Sequence, residues 1–266
     1  MKLDGKLVVV TGGGSGIGRE LVLALLRRGA RVAAIDLNMD SLSETAEIAA
    51  AGQDLGLFEG NIADRDGVFA LPAKIEAQMG PVDGVINNAG VIQPFVDFAD
   101  LEMEVIDRMV NINLVGPINM MKAFLPGLQS RSEAHLVNVA SMGGFIPFPG
   151  QSMYSASKAA VKLLTEAIYQ ESQGSNLRVS CVMPGAVNTN ISKNSGVEMS
   201  AGGDPEAAAA RTLPAPDAAK IILDGMEADK LHILVGSDAK MLFRLVRLAP
   251  AWAIRFIQKQ MSKMGR

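Results

Sequence analysis

The stretch that decides the fold is Leu7-Val-Val-Val-Thr11 running into Gly12-Gly-Gly-Ser15-Gly16-Ile17-Gly18. Leu7 to Val10 is a short branched apolar run, which reads as a buried strand, and the glycines end it abruptly. From Arg19 to Arg28, Leu21, Leu25 and their neighbours recur at helical spacing, so the order is strand, loop, helix. Glycines at 12, 16 and 18 admit positive φ and close backbone approach, so amide N–H groups and a helix N-terminus can face a pyrophosphate. A flexible turn would explain the glycines alone. The strand before, the helix after and an acidic residue 18 positions past Gly18 argue for a dinucleotide loop instead.

That acidic residue is Asp36, at the end of a second apolar strand, Arg31 to Ile35, reached through Gly29 at a helix C′ position. Its carboxylate can accept hydrogen bonds from the adenosine ribose hydroxyls and would repel a 2′-phosphate. Leu37 offers such a phosphate no cation, so the expected cofactor is NAD rather than NADP.

The alternation continues. Helices are expected near Asp40 to Ala50 and Arg65 to Met79, and strands at Leu55 to Glu59, Val82 to Ile86, Ala134 to Ala140, Leu177 to Val182 and Leu231 to Val235. A long helix fits Ser152 to Gln173. Strands alternating with helices imply a parallel sheet covered on both faces. The predicted fold is α/β, a single doubly wound Rossmann domain with a seven-stranded parallel sheet. No repeat or linker divides the chain. Its catalytic part is expected over residues 1–238, including a Gly-, Ser-, Ala- and Pro-rich loop at about 190–216 with a helix at Glu206 to Arg211. Residues 239–266 are expected to form a basic amphipathic helical extension.

Tyr154-Ser-Ala-Ser-Lys158 puts a phenol and an ammonium one helical turn apart, close enough for the cation to favour the phenolate. By itself Tyr-x-x-x-Lys occurs by chance on many helices. Ser141 strengthens it, because it follows the apolar strand Leu136 to Ala140 and lies 13 residues before Tyr154, where a sheet would present a hydroxyl to substrate.

Together these residues resemble the short-chain dehydrogenases/reductases over residues 5 to about 236. The resemblance is carried, in order, by Thr11 to Gly18, Asp36, Asn61-Ile62, Asn87-Asn88-Ala89-Gly90, Asn113-Leu-Val-Gly116, Ser141, Tyr154 with Lys158, and Pro184-Gly185 with Thr189. It implies that Tyr154 is the general acid/base and that Ser141 polarises the substrate carbonyl. It also implies that Lys158 binds the nicotinamide ribose and lowers the Tyr154 pKa. Asn113 would hold a proton-relay water; Asn111 competes for this role, but the Asn-x-x-Gly spacing to Gly116 selects Asn113. The resemblance places adenine near Asn61 and Ile62, and the nicotinamide near Asn88, Ala89, Gly90, Pro184, Gly185, Val187 and Thr189. Many members carry Asp where this chain has Asn61, and Asn can still donate and accept there. Homodimers or homotetramers are a family-level expectation, paired through helices near Leu101 to Lys122 and Ser152 to Gln173. No metal site is expected.

Composition bounds the rest. Hydrophobic residues are 48% and charged residues 20% of 266, a balance that supports a large core. The single Cys181 lies in an apolar run and Met1 to Val10 lacks a signal-peptide pattern, so a cytoplasmic protein is expected. The net charge of −3 is uneven: 7 of 25 Lys and Arg, and none of 28 acidic residues, follow Asp238. Residues 1–238 therefore carry 18 − 28 = −10, too acidic for a nucleic-acid binder. In the tail, Lys240, Arg244 and Arg247, then Arg255, Lys259 and Lys263, recur at helical spacing opposite Leu245, Leu248, Trp252, Phe256 and Met261. This pair of helices would cap the substrate cleft or a neighbouring subunit, or contact a membrane surface through 240–263. Gln93, Phe95, Phe145, Ile146, Phe148 and Met183 are candidate pocket residues and point to a hydrophobic alcohol or ketone, aliphatic, aromatic or steroid. The alternatives are a 3-oxoacyl-thioester reductase, which would want NADPH, and a non-catalytic NAD-binding protein on the same fold.

Overall fold

The structure, a computed structural model, describes residues 1–197 and 212–262. The helix expected at Glu206 to Arg211, together with Lys263 and Arg266, lies outside them. The elements run β1 (Leu7–Thr11), α1 (Gly16–Arg27), β2 (Arg31–Asp36), α2 (Met39–Ala49), β3 (Leu55–Glu59), α3 (Arg65–Met79), β4 (Gly84–Asn87), α4 (Met103–Val110) and α5 (Gly116–Gln129). They continue with β5 (Ala134–Val139), α6 (Ser152–Glu171), β6 (Leu177–Pro184), β7 (Val187–Asn188), α7 (Ile191–Ser195), β8 (Leu213–Pro214), α8 (Ala215–Glu227), β9 (His232–Val235), α9 (Ser237–Leu248) and α10 (Pro250–Ser262).

Seven parallel strands form the sheet in the order β3-β2-β1-β4-β5-β6-β9, as the alternation predicts. The central strands are apolar on both faces because helices cover both. On one side α1, α2 and α8 pack Leu21, Leu25, Leu42 and Ile222 against Val8, Val10 and Val32. On the other, α3, α5 and α6 pack Ile75, Met120, Phe124 and Ile168 against Val9, Val85 and Leu136. The chain builds outward from β1 to β3, then returns to start β4 on the other side of β1. That reversal opens a crevice at the C-terminal ends of β1 and β4, the place where such sheets bind ligands.

Two features depart from the pattern. A short parallel ribbon, β7 with β8, stands apart from the main sheet. The expected helix from Leu101 to Lys122 is instead α4 and α5 joined by a π-turn at Asn111–Val115, whose extra residue shifts the register so that Asn113 is fully buried.

After β9 the chain folds back over the end of the sheet. Leu242 of α9 and Ala253 and Ile257 of α10 bury against Ile146, with Met142, Phe145 and Phe148 alongside. Among the described residues no helix is long and apolar enough to cross a membrane.

Candidate active site and dinucleotide cleft

A cleft of about 740 Å³ opens at the crevice, running from Asp36 at one end to Tyr154 at the other. Its floor is the glycine loop. Gly12 has φ +70°, and a Cβ on it would lie 2.9 Å from Asn88 Nδ2. Gly12, Ser15, Gly16 and Ile17 line the cleft, whereas Gly18 sits beneath it. A Cβ on Gly18 would come within 1.9 Å of the Gly12 oxygen, so this glycine lets α1 pack under the loop rather than meeting a ligand itself.

Thr11 stitches the two strand ends together. Its Oγ1 accepts the backbone N–H groups of Asn88 and Ala89, both at 3.0 Å, and Asn88 Nδ2 donates to the Thr11 oxygen at 2.9 Å. Asn88, Ala89 and Gly90 thereby form the wall facing the loop.

At the far end, Asp36 Oδ2 accepts the N–H of Gly14 at 2.9 Å and Oδ1 that of Asn38 at 3.1 Å. Leu37 is 67% exposed beside it and lines the cleft. Arg19, which reaches the Gly14 carbonyl beside Asp36, is spent: its guanidinium donates to both Glu44 oxygens, at 3.1 and 2.6 Å, and to that carbonyl. Asn61 and Ile62, after β3, complete this end, and Asn119 Nδ2 holds the Ile62 carbonyl at 3.1 Å. Pro184, Gly185, Val187 and Thr189 line the opposite rim after β6. Asp238 supports that rim: its Oδ2 accepts the Ala186 N–H at 2.8 Å.

Ser141, Tyr154 and Lys158 share the other end of the cleft. The Ser141 hydroxyl and the Tyr154 phenol both belong to this end of the lining, and Ser141 Oγ accepts the Gly143 N–H at 3.0 Å. Lys158 Nζ donates to the Val139 carbonyl at 2.9 Å and stands 6.0 Å from the centre of the Tyr154 ring. Burial pushes the Tyr154 pKa up, and the neighbouring Ser141 hydroxyl opposes this. Burial also brings Lys158 down to about 8. The family resemblance implies a phenol lowered by Lys158; in the protein chain alone, desolvation is the larger effect and the opposing help comes from Ser141.

Asn113 does not line the cleft. Its Oδ1 accepts the Val91 N–H at 2.9 Å and its Nδ2 donates to the Val91 carbonyl at 2.8 Å, which pins the wall behind Gly90 and Lys158. Asn111 is exposed. Of the candidate pocket residues, Phe95 and Phe148 line the cleft, whereas Ile146 and Met183 are core and Phe145 packs edge-on against Phe243. Gln93 is fully buried and serves the start of α6. The lining also takes in Met261, from the apolar face of the C-terminal helices, and Ile92, Arg108 and Met142, which local spacing does not single out.

A glycine-floored cleft at the switch point of a parallel sheet, with an acidic residue at one end and a Ser, Tyr and Lys cluster at the other, has the form of a dinucleotide-dependent enzyme. Residues 6–199 match the family described as short chain dehydrogenase, and the chain belongs to that family, whose enzymes carry out NAD(P)-dependent oxidoreduction of CH–OH and C=O groups. SadH of Mycobacterium tuberculosis, named as an oxidoreductase, is 34% identical over 98% of this chain and 96% of its own length. The match to that relative takes in most of the C-terminal helices as well. Among solved structures, a short-chain dehydrogenase/reductase from Burkholderia phymatum in complex with NAD has a TM-score of 0.83 at 24% identity, covering 93% of this chain and 96% of that one. A short chain dehydrogenase from Burkholderia cenocepacia in complex with NADP has a TM-score of 0.81 at 25% identity, covering 97% and 99%. An NAD(P)-type cofactor follows from these relationships, with no preference between the two.

Proposed function

We propose that the chain interconverts a hydrophobic secondary alcohol and its ketone with NAD(H), using Tyr154 as general acid/base. The observation that carries this reading is the convergence of Ser141, Tyr154 and Lys158 at the end of the cleft opposite Asp36, with Lys158 Nζ 6.0 Å from the centre of the Tyr154 ring. In the reducing direction negative charge builds on the carbonyl oxygen. The Ser141 O–H donates a hydrogen bond to that oxygen, and Tyr154 passes it its phenolic proton. Lys158, held by the Val139 carbonyl, places positive charge near the resulting phenolate. In the oxidising direction the phenolate takes the alcohol proton. A bound nicotinamide supplies or accepts the hydride.

The glycine floor fits a pyrophosphate, because Gly12, at φ +70° and with a Cβ position taken up by Asn88 and Ala89, leaves bare backbone at the cleft ahead of the α1 N-terminus. NAD is favoured over NADP by Asp36 and Leu37, and by an Arg19 already committed to Glu44 and Gly14. Val91, Ile92, Phe95, Phe148 and Met261 make the substrate end mostly apolar. In this reading residues 1–238 supply the catalytic unit and the two C-terminal helices cap the substrate end. The chain acts as a homodimer or homotetramer in the cytoplasm, where a buried free thiol such as Cys181 is at home.

Initial rates with NAD and NADP across secondary alcohols, hydroxysteroids and 3-hydroxyacyl thioesters test the proposal. The expected result is the highest kcat/KM for an apolar alcohol with NAD. A preference for NADP with thioesters would replace the substrate class, and NADH binding without turnover on the whole panel would leave only a binding protein.

A further inference from the structure

We propose that the outer face of α9 and α10 docks on an anionic lipid surface and holds the substrate end of the cleft against it. These two helices carry an unusual concentration of exposed apolar side chains: Leu248 is 85% exposed, Met241 55%, Trp252 50% and Ile254 46%. Leu248 and Trp252 flank the Ala249–Pro250 corner between the helices. Around them stand Lys240, Arg244, Arg247 and Arg255, all exposed, and among the described residues none of the four forms an ion pair. Arg247 instead lies over the Phe243 ring, 4.1 Å from its centre. Asp238, in the first turn of α9, is the last acidic residue of the sequence, and its carboxylate accepts the Ala186 N–H rather than pairing with any of them.

Apolar side chains set among cations suit the boundary between anionic headgroups and acyl chains. Other exposed apolar residues do not share this setting: Phe98 and Met103 are interspersed with Asp97, Asp100, Glu102 and Glu104. The docking is peripheral, since no described helix is built to span. Its consequence comes from the inner face of the same helices. Leu242, Ala253 and Ile257 bury against Ile146, close to the loop after Ser141, and Met261 lines the cleft itself. A surface that anchors α9 and α10 therefore sits beside the substrate end, where a lipophilic alcohol dissolved in the bilayer would enter. That last step rests on the proposed function; the docking does not.

The intact protein can be tested by co-sedimentation with phosphatidylcholine vesicles containing or lacking phosphatidylglycerol, read alongside the emission of Trp252, the only tryptophan in the chain. Binding and a blue shift are expected with phosphatidylglycerol and weaken as salt rises. Each cation near such a surface is worth ~1 kcal/mol, about fivefold, so Arg244→Glu with Arg255→Glu lowers partitioning at least about 25-fold. Leu248→Asp weakens it too, while turnover of a water-soluble alcohol stays intact in both variants. Equal, negligible sedimentation with both vesicle types overturns the proposal. So does a Trp252 shift that follows protein concentration without lipid and disappears in Leu248→Asp, because the face would then be covered by a second copy. Vesicle binding by a chain that turns over no substrate keeps the docking and removes the oxidoreductase reading.

Discussion

Gln93 accepts the backbone N–H of Tyr154 on its side-chain Oε1 at 3.0 Å, across 61 residues of sequence, and the N–H of Met153 on the same oxygen at 2.8 Å. Its Nε2 donates to the Gly150 carbonyl at 3.0 Å, and Gln151 Nε2 returns a bond to the Gln93 carbonyl at 2.8 Å. The first N–H groups of a helix have no partner within it, and Gln151 does not cap α6 with its own side chain. A residue of the β4–α4 loop does so instead, tying the helix that carries Tyr154 and Lys158 to the wall that carries Asn88 and Gly90.

Replacing Gln93 by Leu therefore leaves two buried N–H groups without an acceptor. A loss of about 1–3 kcal/mol is expected in urea denaturation. Displacement of Tyr154 should lower kcat by roughly 10- to 100-fold, while KM for NADH stays near the parent value because the glycine loop is untouched. A variant with reduced stability but unchanged kcat would show that Gln93 supports the fold without positioning the phenol.

Tyr154→Phe keeps the ring and removes the proton. Turnover is expected to fall by about 10²- to 10⁴-fold, with NADH affinity, measured by fluorescence titration, nearly intact. Ser141→Ala makes a second test. The Ser141 hydroxyl lowers the phenol's pKa against the burial that raises it, so its removal should raise that pKa further. Alcohol oxidation needs the phenolate, and its pH–rate profile should move to higher pH in Ser141→Ala. A profile unchanged in position would separate the phenol from the observed titration.

Cofactor choice is expected to sit at two adjacent residues. Asp36→Ser with Leu37→Arg removes the carboxylate proposed to meet the ribose and adds a cation where Arg19, held by Glu44, does not supply one. A hydrogen bond to a charged group is worth about 1.5–3 kcal/mol, so kcat/KM for NAD should fall roughly 10- to 100-fold while that for NADP rises. A double variant that keeps the parent ratio would place the selectivity elsewhere in the cleft.

These residues were legible because their signals are local. A strand ending in Gly12, an acidic residue closing the next strand at Asp36, and a phenol and ammonium one turn apart each occupy a few consecutive positions. What was not legible depends on partners far along the chain. Nothing beside Gln93 announces that it caps a helix starting at Ser152, and nothing beside Arg108 places it in a cleft built around β1 and β4. The π-turn at Asn111–Val115 is silent for another reason. One extra residue in a helical turn changes which side chain faces inward without changing composition, so Leu101 to Lys122 reads as one continuous helix. Ile146 and Met183 look like pocket residues because an apolar side chain near a cleft has the same spacing whether it faces the ligand or the core.

His135 on β5 gives the fold an acid limit that is independent of the active site. It is fully buried, and its Nε2 lies 2.9 Å from Ser180 Oγ, whose own proton is directed to the Lys230 carbonyl at 2.7 Å. Ser180 must then accept, which makes Nε2 the protonated nitrogen of a neutral ring and leaves the buried Nδ1 without a hydrogen-bond partner. Burial, more than any neighbouring charge, lowers the pKa of this ring from 6.5 to about 3. Between those values the unfolded chain binds a proton that the folded chain refuses, so stability falls as pH falls through that window. The slope contributed by this one group approaches ~1.4 kcal/mol per pH unit. His135→Gln removes the titration. Urea unfolding at pH 6.5 and pH 5 should show the parent losing about 1.6 kcal/mol more than the variant across this interval. Equal losses in the two proteins would assign the acid sensitivity to the carboxylates instead.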